Sequence, residues 1–108
     1  MTDACIVWSS VADPARADLI AETLVTEGLA ACVTALPGAR AVYRWRGAIE
    51  RDTQTVLMIK CTAQAYPKLR DRLCALHPDT VPELLCTPVS DGNAAYLHWL
   101  AAPEHTDG

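Results

Sequence analysis

A histidine and a glutamate lie close together in the segment L-H-P-D-T-V-P-E-L-L, between a predicted helix and a predicted strand. His77 is followed directly by Pro78, and Pro82 precedes Glu83. Proline fixes its own backbone and restrains the residue before it, so both side chains are held at a stiff corner. An imidazole and a carboxylate at such a corner could bind a metal ion or a small ligand. The alternative is a C-terminal helix residue favoured by the dipole, beside a solvated glutamate.

The composition is that of a globular protein with one domain. The chain has 108 residues, of which 51% are hydrophobic and 20% charged, enough for one core but not for two. Its net charge of -4 argues against a dedicated binder of nucleic acids or anionic membranes. No apolar run reaches the length of a membrane span, and the first residues do not resemble a signal peptide.

Five cysteines are spread along the chain: Cys5, Cys32, Cys61, Cys74 and Cys86. Their number is odd, and no two of them have the C-x-x-C spacing that is typical of zinc or redox motifs. Four lie inside apolar runs, where a free thiol behaves as a small hydrophobic group. The pattern favours buried thiols in a reducing cytoplasm over a disulfide framework or a zinc cage.

The hydrophobic pattern alternates between strand and helix. It predicts strands at residues 4–10, 31–36, 40–45, 49–61 and 83–87, with a break at Pro37-Gly38 and a tight turn at Arg46-Gly47. It predicts helices from Asp13-Pro14 to Gly28, from between residues 62 and 67 to His77, and at residues 93–101. The order β-α-β-β-α-β plus a helix predicts an α+β, ferredoxin-like domain: an antiparallel four-stranded sheet with helices on one face.

Two features of the predicted sheet indicate that the monomer is incomplete. The first strand and the long strand are apolar on both faces, whereas two helices can cover only one face. The strand at residues 49–61 would also extend about 40 Å, well beyond its neighbours, and leave an open edge. A homo-oligomer would cover the second face and pair the edge.

Five sequence pieces, in this order and spacing, resemble the CutA divalent-cation tolerance family across essentially the whole chain. They are G-L-A-A-C-V from Gly28, P-G from Pro37, Y-x-W-x-G-x-I-E from Tyr43, H-P-x-x-V-P-E from His77 and D-G-N-x-x-Y-L-x-W-L from Asp91. The resemblance implies one ferredoxin-like domain over residues 1–102 with a flexible tail at 103–108, and a cytoplasmic homotrimer with hairpins that pair between subunits. It also implies a link to heavy-metal tolerance, copper binding in some members, and similarity to PII signalling trimers, whose intersubunit clefts bind effectors.

The copper ligands that this resemblance implies are only partly present. Copper-binding members are described with a cysteine at the end of the first strand and two histidines before the proline. This chain has Ser9 and Leu76-His77 at those positions. His77 is therefore the predicted metal ligand, helped by Asp79 or Glu83. This reduced ligand set predicts weak binding of copper or another divalent cation. First-row metals bind tightly only where several nitrogen or sulfur donors converge.

The predicted hairpin supplies a second candidate site. Strand alternation places Tyr43 and Trp45 on one face and the arginines at positions 40, 44 and 46 on the other. Lys60 is a cation within an apolar run, so we expect an ion pair with Glu83. One interpretation is an intersubunit cleft, lined by these aromatic and charged residues and His77, for a small anionic or metal-bearing ligand. The alternative is that the aromatic residues are trimer contacts and the ion pair an interface pair.

No motif indicates an enzyme or an RNA-binding protein. The sequence lacks a glycine-rich phosphate loop, a nucleophile elbow and a dinucleotide fingerprint, and a histidine–glutamate pair alone is poor evidence of catalysis. Three arginines without an RNA-binding motif are equally poor evidence of nucleic-acid recognition. Two functions stay open: a divalent-cation tolerance protein that binds a cation directly at His77, or a PII-like effector-sensing or scaffolding trimer that affects metals indirectly.

Overall fold

The computed structural model describes residues 2–102, and the elements follow the predicted order. The strands are β1 (Ala4–Val11), β2 (Cys32–Trp45), β3 (Ala48–Thr62) and β4 (Leu85–Pro88). The helices are α1 (Pro14–Thr26), α2 (Tyr66–Leu76) and α3 (Ala94–Ala101). Within residues 2–102, no helix is both long and apolar enough to cross a membrane. The tail predicted at 103–108 lies outside the described residues.

The strands form one antiparallel sheet in the order β2-β3-β1-β4. This is the ferredoxin-like order that the sequence predicts, and the fold is confirmed. β3 has 15 residues, whereas β1 has 8 and β4 has 4. The far half of the β2-β3 hairpin therefore extends beyond the rest of the sheet.

Strand alternation divides the sheet into a helix-covered face and an open face. The odd-numbered residues of β1 from Cys5 and of β3 from Thr55 are buried, and they form the core with apolar side chains of α1 and α2. The even-numbered residues point the other way and are only partly buried. We call this the open face, and its central members are Ile6, Trp8, Ser10, Val56, Met58 and Lys60.

Helix α1 begins and ends where the local sequence predicts. The Asp13 carboxylate accepts a hydrogen bond from the Ala15 N–H at 3.0 Å, and Pro14 occupies the first turn. Gly28 follows the last turn with a φ of 73°, which suits a residue without a Cβ. The residues between them present a buried apolar face to the sheet: Ala17, Ile20 and Leu24.

Two strand boundaries differ from the prediction. The break expected at Pro37-Gly38 is a bulge inside a continuous β2, because the pairing with β3 shifts register between Leu36 and Ala39. β4 begins at Leu85 and not at Glu83. The Glu83 carbonyl oxygen accepts a hydrogen bond from a β1 side chain, which holds this residue in the loop before the strand.

A two-residue turn closes the β2-β3 hairpin. Arg46 and Gly47 have φ values of 51° and 83°, as in a type I′ turn between paired residues at 45 and 48. The register that follows places Tyr43 opposite Glu50, with Asp52 one diagonal step away on the same face. The turn thus determines which side chains of the hairpin meet.

We expect Gly47→Ala to destabilise the protein by about 1–2 kcal/mol, because left-handed backbone carries that cost once a Cβ is present. The new Cβ would meet no atom within 4 Å, so the effect would come from the backbone alone. Gly92→Ala is the matched control, since its Cβ would make an ordinary 3.5 Å contact with Leu97. Urea unfolding at one protein concentration measures the difference, and equal losses in both variants would contradict the prediction.

Candidate functional site

Two adjacent serines at the end of β1 tie the loop between α2 and β4 to the sheet. The hydroxyl of Ser9, a fully buried residue, donates to the Glu83 carbonyl oxygen at 2.8 Å. The Ser10 hydroxyl donates to Glu83 Oε1 at 3.1 Å, and the Ser10 carbonyl oxygen lies 2.8 Å from His77 Nε2. These three hydrogen bonds bring His77 and Glu83 to the same strand end. We call this region the corner.

Both ring nitrogens of His77 have hydrogen-bond partners within the protein. Nδ1 accepts from the Asp79 N–H at 3.1 Å, so the proton of the neutral ring lies on Nε2, which donates to the Ser10 carbonyl oxygen. The side chain has no exposed surface. A metal ion could therefore coordinate this imidazole only after one of the two hydrogen bonds breaks.

Few other side chains of the corner could complete a metal site. Among residues 2–102, no group of three or more His, Cys, Asp or Glu side chains is arranged to hold a metal ion. Ser9 uses its hydroxyl as a donor to Glu83. The closest carboxylate oxygen to the imidazole is Asp79 Oδ2, at 4.0 Å from Nδ1. Metal binding by His77 stays a prediction.

A cavity of about 780 Å³ lies between the hairpin and the corner. Its lining includes two aromatic, three acidic and one basic residue: Tyr43, Trp45, Asp52, Asp79, Glu83 and Arg40. Smaller or uncharged residues complete the lining: Ser10, Ala12, Ala41, Val42, Gln54, Pro78, Thr80 and Val81. Three acidic groups against one basic group make the cavity negative, which favours a cationic over an anionic ligand.

The structure brings together three of the five residues predicted for the cleft. Tyr43, Trp45 and Glu83 line the cavity. His77 lies behind the wall, because the residues that follow it line the cavity while its own ring is buried. Lys60 is not among the lining residues. The cavity is thus formed by the hairpin and the corner without the predicted cation.

The ion pair predicted between Lys60 and Glu83 is not formed in residues 2–102. Glu83 is bonded to Ser10, and Ser10 pairs with Val56 of β3. Lys60 lies four residues further along β3 from that position. That separation is about 13 Å at the usual rise per residue, too far for an ion pair. The Lys60 ammonium instead donates to the Thr34 hydroxyl at 2.6 Å and lies 3.8 Å from Cys32 Sγ. Within one chain, strand register and not charge determines which side chains meet. An ion pair between subunits stays a prediction.

The position of Tyr43 depends on Asp52, a residue that the sequence did not single out. The Tyr43 phenol donates a hydrogen bond to Asp52 Oδ2 across the hairpin. This bond, with smaller effects from burial and from the charges of Asp52, Glu50 and Asp79, raises the pKa of Tyr43 to about 12. Tyr43 therefore stays protonated at neutral pH and acts as a donor. The two-residue turn was the available signal, since it determines the hairpin register.

Arg46 does not lie on the face opposite the aromatic residues, although strand alternation predicted that it would. The Arg46 guanidinium lies 5.4 Å from the centre of the Trp45 ring. Arg46 belongs to the turn, where strand alternation no longer applies. The β2-β3 register keeps Arg40 and Arg44 on the face opposite Tyr43, and Arg40 is also among the residues that line the cavity.

We expect Ser9→Ala to destabilise the protein by about 1–3 kcal/mol, because it leaves the Glu83 carbonyl oxygen without a buried donor. Ser10→Ala is the matched control. It removes an exposed hydrogen bond to the Glu83 carboxylate, which water can replace, so we expect a loss below about 1 kcal/mol. Urea unfolding of both variants measures the difference, and a larger loss for Ser10→Ala would contradict the assigned roles.

Comparison with known families gives a match over most of the chain. The family model for the CutA1 divalent ion tolerance protein matches residues 5–103. The divalent-cation tolerance protein CutA of Thermus thermophilus is 45% identical over 95 residues, which are 88% of this chain and 92% of the relative. The resemblance carried by the five sequence pieces is thereby confirmed, and with it the expectation that the protein is not an enzyme.

Solved structures of related proteins share the fold. Cut A1 of Thermus thermophilus gives a TM-score of 0.88 at 44% identity, over 91% of this chain and 95% of that chain. CutA of Xylella fastidiosa gives 0.89 at 43% identity, over 92% and 95%. The periplasmic divalent cation tolerance protein CutA of Archaeoglobus fulgidus gives 0.86 at 27% identity, over 90% and 94%. Sequence and structure therefore agree that this chain belongs to the CutA1 divalent ion tolerance family.

Proposed function

We propose that this chain acts in divalent-cation tolerance as a homotrimer, with the cavity between hairpin and corner as its ligand site. Its membership of the CutA1 family supports the tolerance role. The exposed apolar surface on the open face of the sheet is the observation that carries the assembly. The cavity's aromatic and charged walls support the ligand site.

The open face needs a cover that this chain does not provide for itself. Trp8 lies between Met58 and Leu85 in one row across three strands, and Leu36 pairs with Val56 in the next row. In the single chain, Leu85 is 62% exposed and Leu36 is 44% exposed. Contiguous apolar surface of this kind is typical of protein interfaces, so burial against other copies is favourable.

The hairpin gives a second reason for assembly. The last residue of β1 pairs with Thr55. Among the described strands, the part of β3 before Thr55 is therefore paired with β2 on one side only. A two-stranded ribbon is only marginally stable alone, and its free edges readily pair with another chain. Exposed apolar residues near the tip strengthen this argument: Val42, Tyr43, Trp45 and Ile49. The hairpin is therefore the element best placed to reach a second subunit.

The same hairpin forms one wall of the cavity, which makes the cavity sensitive to assembly. A ligand held there would contact the hairpin on one side and the corner on the other. This supports the effector-sensing form of the proposal, in which a small cationic ligand is read by the trimer and effects on metals are indirect. The lining has three acidic residues and one basic residue, so a positively charged ligand is expected.

Weak direct binding of copper or another divalent cation at His77 is the second candidate. The 4.0 Å separation between Nδ1 and the Asp79 carboxylate favours it, because loss of the hydrogen bond from the Asp79 N–H would leave a nitrogen and an oxygen ligand side by side. Binding would be weak, since that bond must break and no thiol joins the pair.

We place the protein in the cytoplasm. All five cysteines are free thiols, as a reducing compartment maintains them. The Archaeoglobus relative, at 27% identity, is described as periplasmic. Under this proposal the two proteins are in different compartments.

Light scattering of the purified chain should give three times the chain mass, and a monomer mass at micromolar concentration would contradict the trimer.

We expect Trp45→Glu to shift the protein towards monomer, because the charge would be buried in the interface. Leu19→Glu is the matched control, since Leu19 is 45% exposed on α1 and Trp45 is 43% exposed on the hairpin. If both variants weakened the assembly equally, the hairpin would not be part of the interface.

Calorimetric titration of copper(II) into the wild type and His77→Ala tests the second candidate. We expect weak binding to the wild type and none to the variant, because His77 is the nitrogen donor of the corner. Asp71→Ala is the control, as it removes an exposed carboxylate of α2 that pairs with Arg70 and not with His77. Tight binding that survives His77→Ala would show that the copper(II) site lies elsewhere.

A further inference from the structure

Three thiols form a row across the sheet, away from the cavity. Cys5 of β1 lies directly opposite Cys61 of β3. Cys86 of β4 lies opposite Val7, one diagonal step from Cys5 on the same face. Cysteines that are scattered along the sequence are therefore brought together by two antiparallel registers.

The row lies on the helix-covered face, and its two ends differ in burial. Cys5 and Cys61 are 7% and 1% exposed and belong to the core. Cys86 packs against the same core but is only partly buried, in a strand of four residues at the sheet edge. A short edge strand opens locally at low cost, so the Cys5–Cys86 end of the row is the one that an ion can reach.

These thiols are poor nucleophiles. Burial raises the pKa of Cys61 to about 12. Burial, and then interaction with the neighbouring Cys5 thiol, raises the pKa of Cys86. Thiolate reactions such as alkylation are accordingly slow at neutral pH. A soft metal ion is the class of reagent that can still displace protons from two adjacent thiols, because its bonds to sulfur are strong.

We propose that Cys5 and Cys86 form a two-coordinate site for monovalent copper. Soft sulfur ligands select Cu(I), and two of them suffice for its linear geometry. Two S–H bonds break, two S–Cu bonds form, and two protons pass to solvent while the metal keeps its oxidation state. Cys61 is a neighbour and not a third ligand, in keeping with the absence of a three-ligand group in residues 2–102.

The complex carries one negative charge, and its position at the sheet edge keeps that charge near water. Cys86 is only partly buried, on the helix-covered face of the edge strand β4, which the proposed trimer contact on the open face would leave uncovered. The site uses neither the cavity nor the His77 corner. It therefore goes beyond the proposed function and takes a different oxidation state of the metal.

Anaerobic titration of the reduced, full-length protein with Cu(I), in competition with bicinchoninate, tests the site. We expect the wild type to hold one Cu(I) per chain, and Cys5→Val and Cys86→Val to lose it. Valine keeps an apolar side chain of similar size in the core. Cys74→Ala removes an exposed thiol of α2 and should retain the ion. Retention by Cys86→Val, or loss in Cys74→Ala, would overturn the proposal.

X-ray absorption of the Cu(I)-loaded wild type gives a result that does not depend on the folding of any variant. Two sulfur ligands are expected, and a nitrogen ligand or a third sulfur would overturn the two-thiol site. His77→Ala should bind Cu(I) like the wild type. Failure here is distinct from failure of the proposed function, because the latter is measured with copper(II) at His77 and by the mass of the assembly.

Discussion

The attachment of the α2–β4 loop to the end of β1 is the interaction on which the candidate site depends. Successive residues of a strand point to opposite faces, so Ser9 and Ser10 lie on two sides of the sheet. Both nevertheless bond to Glu83, one to its carbonyl oxygen and the other to its carboxylate. The loop therefore wraps around the strand end. This holds the wall of the cavity at a defined distance from the hairpin.

The histidine of the corner is part of the same attachment. His77 receives a donor from the loop and donates to the β1 backbone, so its ring joins the two segments. A ligand role and a structural role compete for the same two nitrogens, because a coordinated nitrogen has no lone pair left for a hydrogen bond. In this chain the structural role is satisfied, and direct metal binding would weaken the corner. That competition is the physical reason for preferring an indirect link between this protein and metal tolerance.

In the proposed trimer, assembly and ligand binding would be coupled through the hairpin. The elements that leave the sheet incomplete are the open face and the outer hairpin, and the hairpin also carries Tyr43 and Trp45 into the cavity. Contacts that bury the hairpin would restrict the motion of the cavity wall. The thiol row lies on the opposite, helix-covered face, so chemistry there is separate from the cavity. Under the two proposals, the two faces of one sheet would bind two different kinds of ligand.

Much of this protein could be predicted from local patterns. The cap at Asp13, the turn at Arg46-Gly47 and the two prolines around the corner each act within a few residues. Alternation of apolar residues indicated the strands, and five short pieces together indicated the family. These succeed because backbone conformation and strand periodicity are determined by near neighbours. The ferredoxin-like order then follows from connection lengths.

The partners of individual side chains depend on how distant strands pair, and this the sequence could not specify. Lys60 meets Thr34 and not Glu83, because the register of β3 separates two charges whose attraction is too weak to change it. Strand register also brings Cys5 and Cys86 together, because β1 and β4 pair in the register that makes them diagonal neighbours. The sequence by itself determined the elements, their order and the stiffness of the corner. The tertiary structure decided which side chains touch, because register is set by burial of the whole sheet face and not by any one pair.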